Sequence, residues 1–229
     1  MSIRTDMAAE SFSQAGGAEK LQGVKVKNKV IENARLEVTD ITIETQEAAE
    51  KLGRPVGRYI TLTATDSTFD MYSDSFHERA EVIAKAIGEL CGGCERFLAV
   101  GLGNYALTSD AVGPLTAEKI FATRHIKSLA KEIDTDNLGE VTVIQTGVLG
   151  NTGIESSEQV KAIAERVTPQ AIIAVDALAC SELSNLGRTI QLCNTGISPG
   201  SGVENARKEL SLSTLGVKCI AIGLSLIHI

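Results

Sequence analysis

The sequence predicts a doubly wound α/β fold: a largely parallel sheet with helices on both faces, joined to a small N-terminal antiparallel strand pair. Three observations lead there. From about Ser75 onward, apolar runs of strand length alternate with stretches of helical periodicity, the order that builds a parallel sheet through βαβ units. The runs "RFLAVGLG" and "AIIAVDA" are apolar on both faces, as strands buried beneath helices are. Ahead of Ser75, "ARLEVTDITIET" and "GRYITLTAT" alternate apolar and polar residues, which marks antiparallel strands with one wet face.

The elements follow in chain order. Residues 1–35 are polar, contain "SQAGGAEKLQG" and show little apolar periodicity, so they read as a pro-segment and loosely held region ahead of an α/β domain at 36–223. Between the two alternating strands, "QEAAEKLGRPVG" reads as a short helix closed by Gly and Pro. Phe76, Ala80, Ile83, Ala84, Ile87 and Leu90 recur at helical spacing until Gly92-Gly93 stops them. A second helix is expected from Ser109, with Val112, Leu115, Ala122, Ile126, Leu129 and Ile133 on one stripe. Then come strand "VTVIQTG", helix "SSEQVKAIAERV", strand "AIIAVDA", a short helical piece near "CSELSNLG", and strands "TIQLCNTG" and "VKCIAIGL". The last six residues, 224–229, match what a common transposon-adapter sequence encodes in frame. They are expected to be a non-native tail on a domain incomplete at its C-terminus, a genuine apolar strand being the alternative.

Composition narrows the function. The 229 residues carry 22 basic and 29 acidic side chains, a formal charge of −7, which disfavours binding to a phosphate backbone. Aromatic residues make up 3% with no Trp, too few for a base-stacking surface. No membrane partner is expected, because the most apolar run is short and Asp176 interrupts it. Five cysteines without an export signal point to a reducing cytoplasm.

The chemistry concentrates at strand ends. Gly101-x-Gly103-x-x-Ala106 has the spacing of a dinucleotide turn, but that turn must open directly into a helix, and an acid must end the next strand. Here about five residues intervene, and the next strand ends "VIQTG". The same stretch delivers Asp110 to a helix mouth, where it either caps the helix or acts on a substrate. Asp176 stands inside an apolar strand, where an ionisable group is costly unless used or hydrogen-bonded. Both lie where ligands of open α/β sheets bind, and two carboxylates sharing a proton there would form a hydrolase constellation. Gly103 and Asn104 ahead of Asp110, Thr152, Gly153 and Glu155 in the loop 146–158, and Gly200 and Ser201 in the loop 194–208 are candidates for a substrate cleft, with ordinary turn chemistry as the alternative for the loops. Cys91-Gly92-Gly93-Cys94 ends a helix rather than opening one, unlike a redox motif, and no metal site or cofactor is read from the chain. His125 reads as a helix-surface or interface residue rather than a metal ligand.

"GLGNYALTSDAVGP", "TRHI", "TGVLGNTGIESS", "AVDALA", "NTGISPGSGV" and "TLGVKCIAIG", in this order, together with "GRYITL" and "IRTDMAAE", resemble the germination proteases of spore-forming bacteria. The resemblance runs to Gly223. It implies a cytoplasmic endopeptidase of the spore core, made as a zymogen, assembled as a homotetramer, and acting on small acid-soluble spore proteins without direct nucleic-acid binding. It also implies an atypical aspartic peptidase whose catalytic pair falls on Asp110 and Asp176, on a fold similar to hydrogenase-maturation peptidases. The family cuts after an acid followed by an apolar residue, Ala, any residue and an acid. Asp6-Met7-Ala8-Ala9-Glu10 has that form, so autoprocessing is expected between Asp6 and Met7; a helix start capped by Asp6 is the alternative. Asn194 stands where the family usually has Asp, and Glu204 and Ala206 replace a usual Gly and basic residue. A metal-dependent maturation peptidase and a nucleotide-binding α/β module are the competing readings.

Overall fold

The computed structural model describes residues 5–17, 21–70, 72–129, 135, 138–200 and 207–228. Its strands are β1 (Val24–Ile31), β2 (Leu36–Ile43), β3 (Gly57–Ala64), β4 (Arg96–Leu102), β5 (Glu140–Gly147), β6 (Ala171–Cys180), β7 (Thr189–Cys193) and β8 (Lys218–His228). Its helices are α1 (Ala8–Gln14), α2 (Gln46–Leu52), α3 (Phe76–Cys91), α4 (Val112–Lys119), α5 (Arg124–Leu129), α6 (Leu149–Thr152), α7 (Ser156–Val167) and α8 (Leu212–Leu215). The strands join in one sheet of order β1-β2-β3-β7-β8-β6-β4-β5. Pairing is parallel from β5 through β4 and β6 to β8, and antiparallel from β8 through β7 and β3 to β1.

Strand alternation sorts the core into two layers. On one face α3 lays Ala86 and Leu90 against Ile60, Leu62, Leu192 and Ile220. On the other, α7 packs Val160 and Ala164 against Leu98, Val100, Ile172 and Ala174, and α2 packs Ala48, Ala49 and Leu52 against Ile41, Ile43 and Tyr59. The chain is therefore an α/β protein with helices on both faces, as its sequence pattern indicates. Among the described residues no helix is long and apolar enough to cross a membrane.

Four local readings change. Residues 1–35, expected to be loosely held, contain α1 and β1, so three strands rather than two form the antiparallel flank. Strand β1, "VKVKNKVI", is an edge strand with lysines on its exposed positions, and its weak apolar content hid it. The expected helix from Ser109 to Ile133 is broken into α4 and α5, with Ile133 outside the described residues. Ile120 is extended (ψ 129°), and Thr123 bonds to the start of β5 instead: its N donates to Val141 O at 3.0 Å, and its Oγ1 accepts from Val141 N at 2.9 Å. A side chain that replaces a helical bond in this way ends the helix. Strand β7 runs antiparallel to both neighbours, and the piece near "CSELSNLG" reduces to one 3-10 turn, Leu183–Asn185, after a β6 that continues to Cys180.

Two glycines allow a close backbone contact beside the strand ends. Helix α4 lies on the ends of β4 and β6 so tightly that a Cβ on Gly113 would come within 2.1 Å of Leu102 O and 2.4 Å of Val175 O. A Cβ on Gly101 would come within 2.4 Å of Gly113 O. Because these neighbours are backbone, they cannot rotate away. Gly113→Ala is expected to lower the unfolding free energy by about 3 kcal/mol in urea titration. Gly88→Ala, in the exposed middle of α3 with open space around it, is expected to raise it by about 0.5–1 kcal/mol.

Candidate active site

The site forms beyond the carboxyl ends of the parallel strands. As β4 ends, Gly103 takes φ 104°, and the chain turns back on itself through Thr108–Asp110. The Asn104 N–H donates to both the backbone oxygen (3.0 Å) and the Oδ2 (2.8 Å) of Asp110, and Asn104 Oδ1 accepts from Ala106 N at 3.0 Å. The turn thus closes on its own carboxylate. Asp110 is not the cap of α4: that position is Ala111, which makes no side-chain cap bond. The dinucleotide spacing leads to the same outcome, since Asn104 N is engaged by Asp110 and not presented to a phosphate. Gly103 is required by contact as well as by φ, because a Cβ there would lie 2.2 Å from Asp110 O.

Asp176 lies in β6, one residue beyond Val175, which pairs with Gly101 of β4. It is 5% exposed, and among the described residues its carboxylate accepts one hydrogen bond, from Ala177 N at 2.9 Å. Burial pushes its carboxyl up to about 7, with the charges of Asp110 and Asp6 adding to the rise. Asp110 also moves up, through burial, against the opposing hydrogen bond from Asn104. Gly103, Asn104, Asp110, Glu155, Asp176, Gly200 and Asp6 all line one cleft of about 460 Å³, with Arg207 bringing a cation to its wall. Thr152 and Gly153 are not among the lining residues: Thr152 Oγ1 bonds within its own turn, to Val148 O and Ile154 O, and Gly153 closes α6 at φ 69°. Ser201, Glu204 and Ala206 lie outside the described residues. Asn194 Oδ1 accepts from Arg58 N at 2.9 Å, joining β7 to β3.

The N-terminal stretch is built into this site. Asp6 N donates to Ala179 O at 2.8 Å, and Asp6 Oδ2 accepts from Ala179 N at 2.9 Å. Met7, 1% exposed, packs on Leu178, Cys180, Leu186 and Ile197. Glu10 accepts from Ser181 N and Oγ, both at 2.8 Å, from Asn185 Nδ2 at 2.7 Å and from Thr5 Oγ1. Burial alone would raise the Glu10 carboxyl, but these hydrogen bonds outweigh it and hold it below its ordinary value. Asp6 does not cap α1, whose N-cap is Met7 without a side-chain cap.

Other sequence signals stay outside the cleft. Cys91 and Cys94 are free thiols at the end of α3, where Cys94 Sγ donates to Cys91 O at 3.0 Å. His125 is exposed on α5. Among the described residues no group of three or more His, Cys, Asp or Glu side chains stands in metal-ligand geometry. Sequence reasoning missed Gln191, which bonds to the N-terminal stretch from β7. Its signal was the one that exposed Asp176, a polar residue between apolar neighbours in a buried strand.

A sequence model described as germination protease matches residues 3–228. The chain belongs to the germination protease family. It is 38% identical over 226 residues to a germination protease of Clostridium perfringens, covering 96% of this chain and 69% of that one. It is 40% identical over 229 residues to that of Clostridium tetani (97% and 69%) and 36% identical over 235 residues to that of Priestia megaterium (97% and 62%). Among solved structures, the [NiFe] hydrogenase maturation protease HycI of Thermococcus kodakarensis aligns at 20% identity with a TM-score of 0.40, covering 61% of this chain and 80% of that one. Membership makes this germination protease family chain a peptidase, and the strand-end cleft is the candidate seat of its hydrolysis.

The raised carboxyl of Asp176 predicts a stability signature. The folded chain holds this proton more tightly than the unfolded chain does, so the contribution of Asp176 to stability is fully present only at low pH. It falls as pH rises from about 4, the unfolded value, through about 7, the folded one. Asp176→Asn removes that loss. Thermal melts across this window are expected to show the variant gaining on the wild-type protein as pH rises, and exceeding it above about pH 7.

Proposed function

We propose that this chain is an endopeptidase of small acid-soluble spore proteins that works through the Asp110–Asp176 pair. The observation that carries the reading is the pair itself: a carboxyl pushed up to about 7 by burial, electrostatically coupled to a second carboxylate in one cleft. In this reading Asp176, the more deeply buried of the two, holds the proton they share, and Asp110 acts as the base. Asp110 then takes a proton from a water as its oxygen adds to the substrate carbonyl carbon. Asp176 gives its proton to the departing amine as the C–N bond breaks, and the products are a carboxylate and an amine. The chelator-sensitive alternative is a metal-dependent peptidase on the same fold.

The bond between Asp6 and Met7 is the self-processing bond of a zymogen. Its support is the position of Asp6 on the cleft wall beside Asp110 and Asp176, with Met7 seated in an apolar pocket. Family membership supports a spore-core, cytoplasmic setting and a homotetrameric assembly as part of the same reading.

Asp110→Asn and Asp176→Asn are each expected to slow cleavage of a small acid-soluble spore protein by about 10²–10⁴-fold while the fold is retained by circular dichroism. The double variant is expected to lose little more than either single one, because the groups act as a unit. Near-normal activity in either single variant would refute the pair. Activity abolished by a chelator and restored by a divalent metal would favour the metal-dependent alternative. Mass spectrometry of active wild-type protein is expected to find Met7 as the new N-terminus; full activity with the Asp6–Met7 bond intact would overturn the zymogen reading.

A further inference from the structure

Gln191 occupies a position that the aspartate pair alone leaves unexplained. It sits in the middle of β7, 6% exposed, between Ile190 and Leu192. Its register partner in β8 is Gly223, and the partner of Gly223 in β6 is Asp176. Gln191, Gly223 and Asp176 therefore form one row across three adjacent strands, with their side chains on the same face of the sheet. At about 4.8 Å per strand, the outer two lie roughly 10 Å apart along the backbone. Gly223 puts no side chain between them. A Cβ there would strike Leu178, at 2.2 Å from its Cγ, the same side chain that helps to seat Met7.

Over this row the Gln191 amide grips the main chain on both sides of Met7. Its Nε2 donates to Asp6 O at 2.9 Å, and its Oε1 accepts from Ala8 N at 2.5 Å. The two partners fix which end of the amide is which, since a carbonyl accepts and an N–H donates. Met7 between them is extended, at φ −90° and ψ 118°. This two-point grip is what a neighbouring strand offers to a residue of a sheet, and it reads main chain without regard to side chain. Asp6 O is the carbonyl oxygen of the Asp6–Met7 bond. A buried N–H aimed at that oxygen is an electrophilic contact on the group where negative charge develops when water adds.

We propose that Gln191 is a catalytic residue: from a neighbouring pocket of about 210 Å³ that shares Asp6 with the aspartate cleft, its Nε2–H polarises the carbonyl of the bond to be cut and stabilises the oxyanion, while its Oε1 holds the substrate extended through the N–H two residues on. This rests on the self-processing reading of the Asp6–Met7 bond. The bonds made and broken are those of the aspartate mechanism, and Gln191 neither gives nor takes a proton.

The test uses the full chain with Gln191→Glu, which keeps size and the Oε1 acceptor but removes the N–H donor, and Gln191→Met, which removes both polar ends without adding charge. Each is measured for cutting at Asp6–Met7 by mass spectrometry and for kcat and KM on a small acid-soluble spore protein, with melting temperature as the control for folding. Both variants are expected to melt cooperatively, to remain uncut at Asp6–Met7, and to lose about 10²–10³-fold in kcat on the spore protein. KM is expected to rise more in Gln191→Met than in Gln191→Glu, because only the former also loses the grip on the N–H. A folded variant of either kind with wild-type kcat would overturn the proposal. A wild-type chain that cuts the spore protein but stays intact at Asp6–Met7 would overturn the self-processing reading alone, and the kcat of the variants would then decide Gln191. A wild-type chain that cuts neither would overturn both.

Discussion

Helix α4 rests backbone to backbone on the ends of β4 and β6, at a distance that only Gly101 and Gly113 allow. The rest of the site is organised around that contact. With α4 drawn onto the strand ends, the eight residues from Gly103 to Asp110 fold back as a closed turn whose tip, residues 105–109, is exposed. The turn is held by Asn104 N, which bonds twice to Asp110, and Gly103 leaves room for the Asp110 main chain. The carboxylate of Asp110 thereby lines the same cleft as Asp176 instead of capping α4.

Two buried carboxyls show how environment decides chemistry. Glu10 and Asp176 are both largely removed from water, at 6% and 5% exposure. Glu10 is surrounded by donors from Thr5, Ser181 and Asn185, and its carboxyl is held below the ordinary value. Asp176 accepts from Ala177 N and faces the negative charges of Asp110 and Asp6, and its carboxyl rises to about 7. The first is a structural anchor that ties α1 to the loop after β6. The second is a group whose proton is available near neutral pH, which is what acid–base chemistry asks for. The same N-terminal stretch links them, since Glu10 anchors the segment whose Asp6 enters the cleft.

Much of this was legible in the residues. Double-sided apolar runs identified β4 and β6, alternation identified β2 and β3, and Gly92-Gly93 marked the end of α3. Asp176 declared itself by interrupting an apolar strand, and Asp110 by following a strand end. Strand β1 did not, because a solvated edge strand rich in lysine has the composition of a loop. The break between α4 and α5 was hidden for a different reason. A stripe of apolar residues at helical spacing persists through Ile126, but the bonds between Thr123 and Val141 are made with a strand that begins 17 residues later. Gln191 carried the same signal as Asp176, yet an uncharged amide costs less to bury and so drew less notice.

By itself the sequence determined the class of the fold and pointed to Asp110 and Asp176 beyond the strand ends, because each follows from local periodicity or from the cost of burying a charge. Tertiary structure alone decided which groups stand side by side. The row from Gln191 through Gly223 to Asp176 joins residues from three strands whose neighbours in space are not neighbours in sequence, and register along a sheet is a property of pairing. The docking of Thr5–Glu10 against β6 and β7 spans more than 170 residues of chain. No local pattern encodes a contact of that kind, which forms only when both partners have already been placed by the sheet.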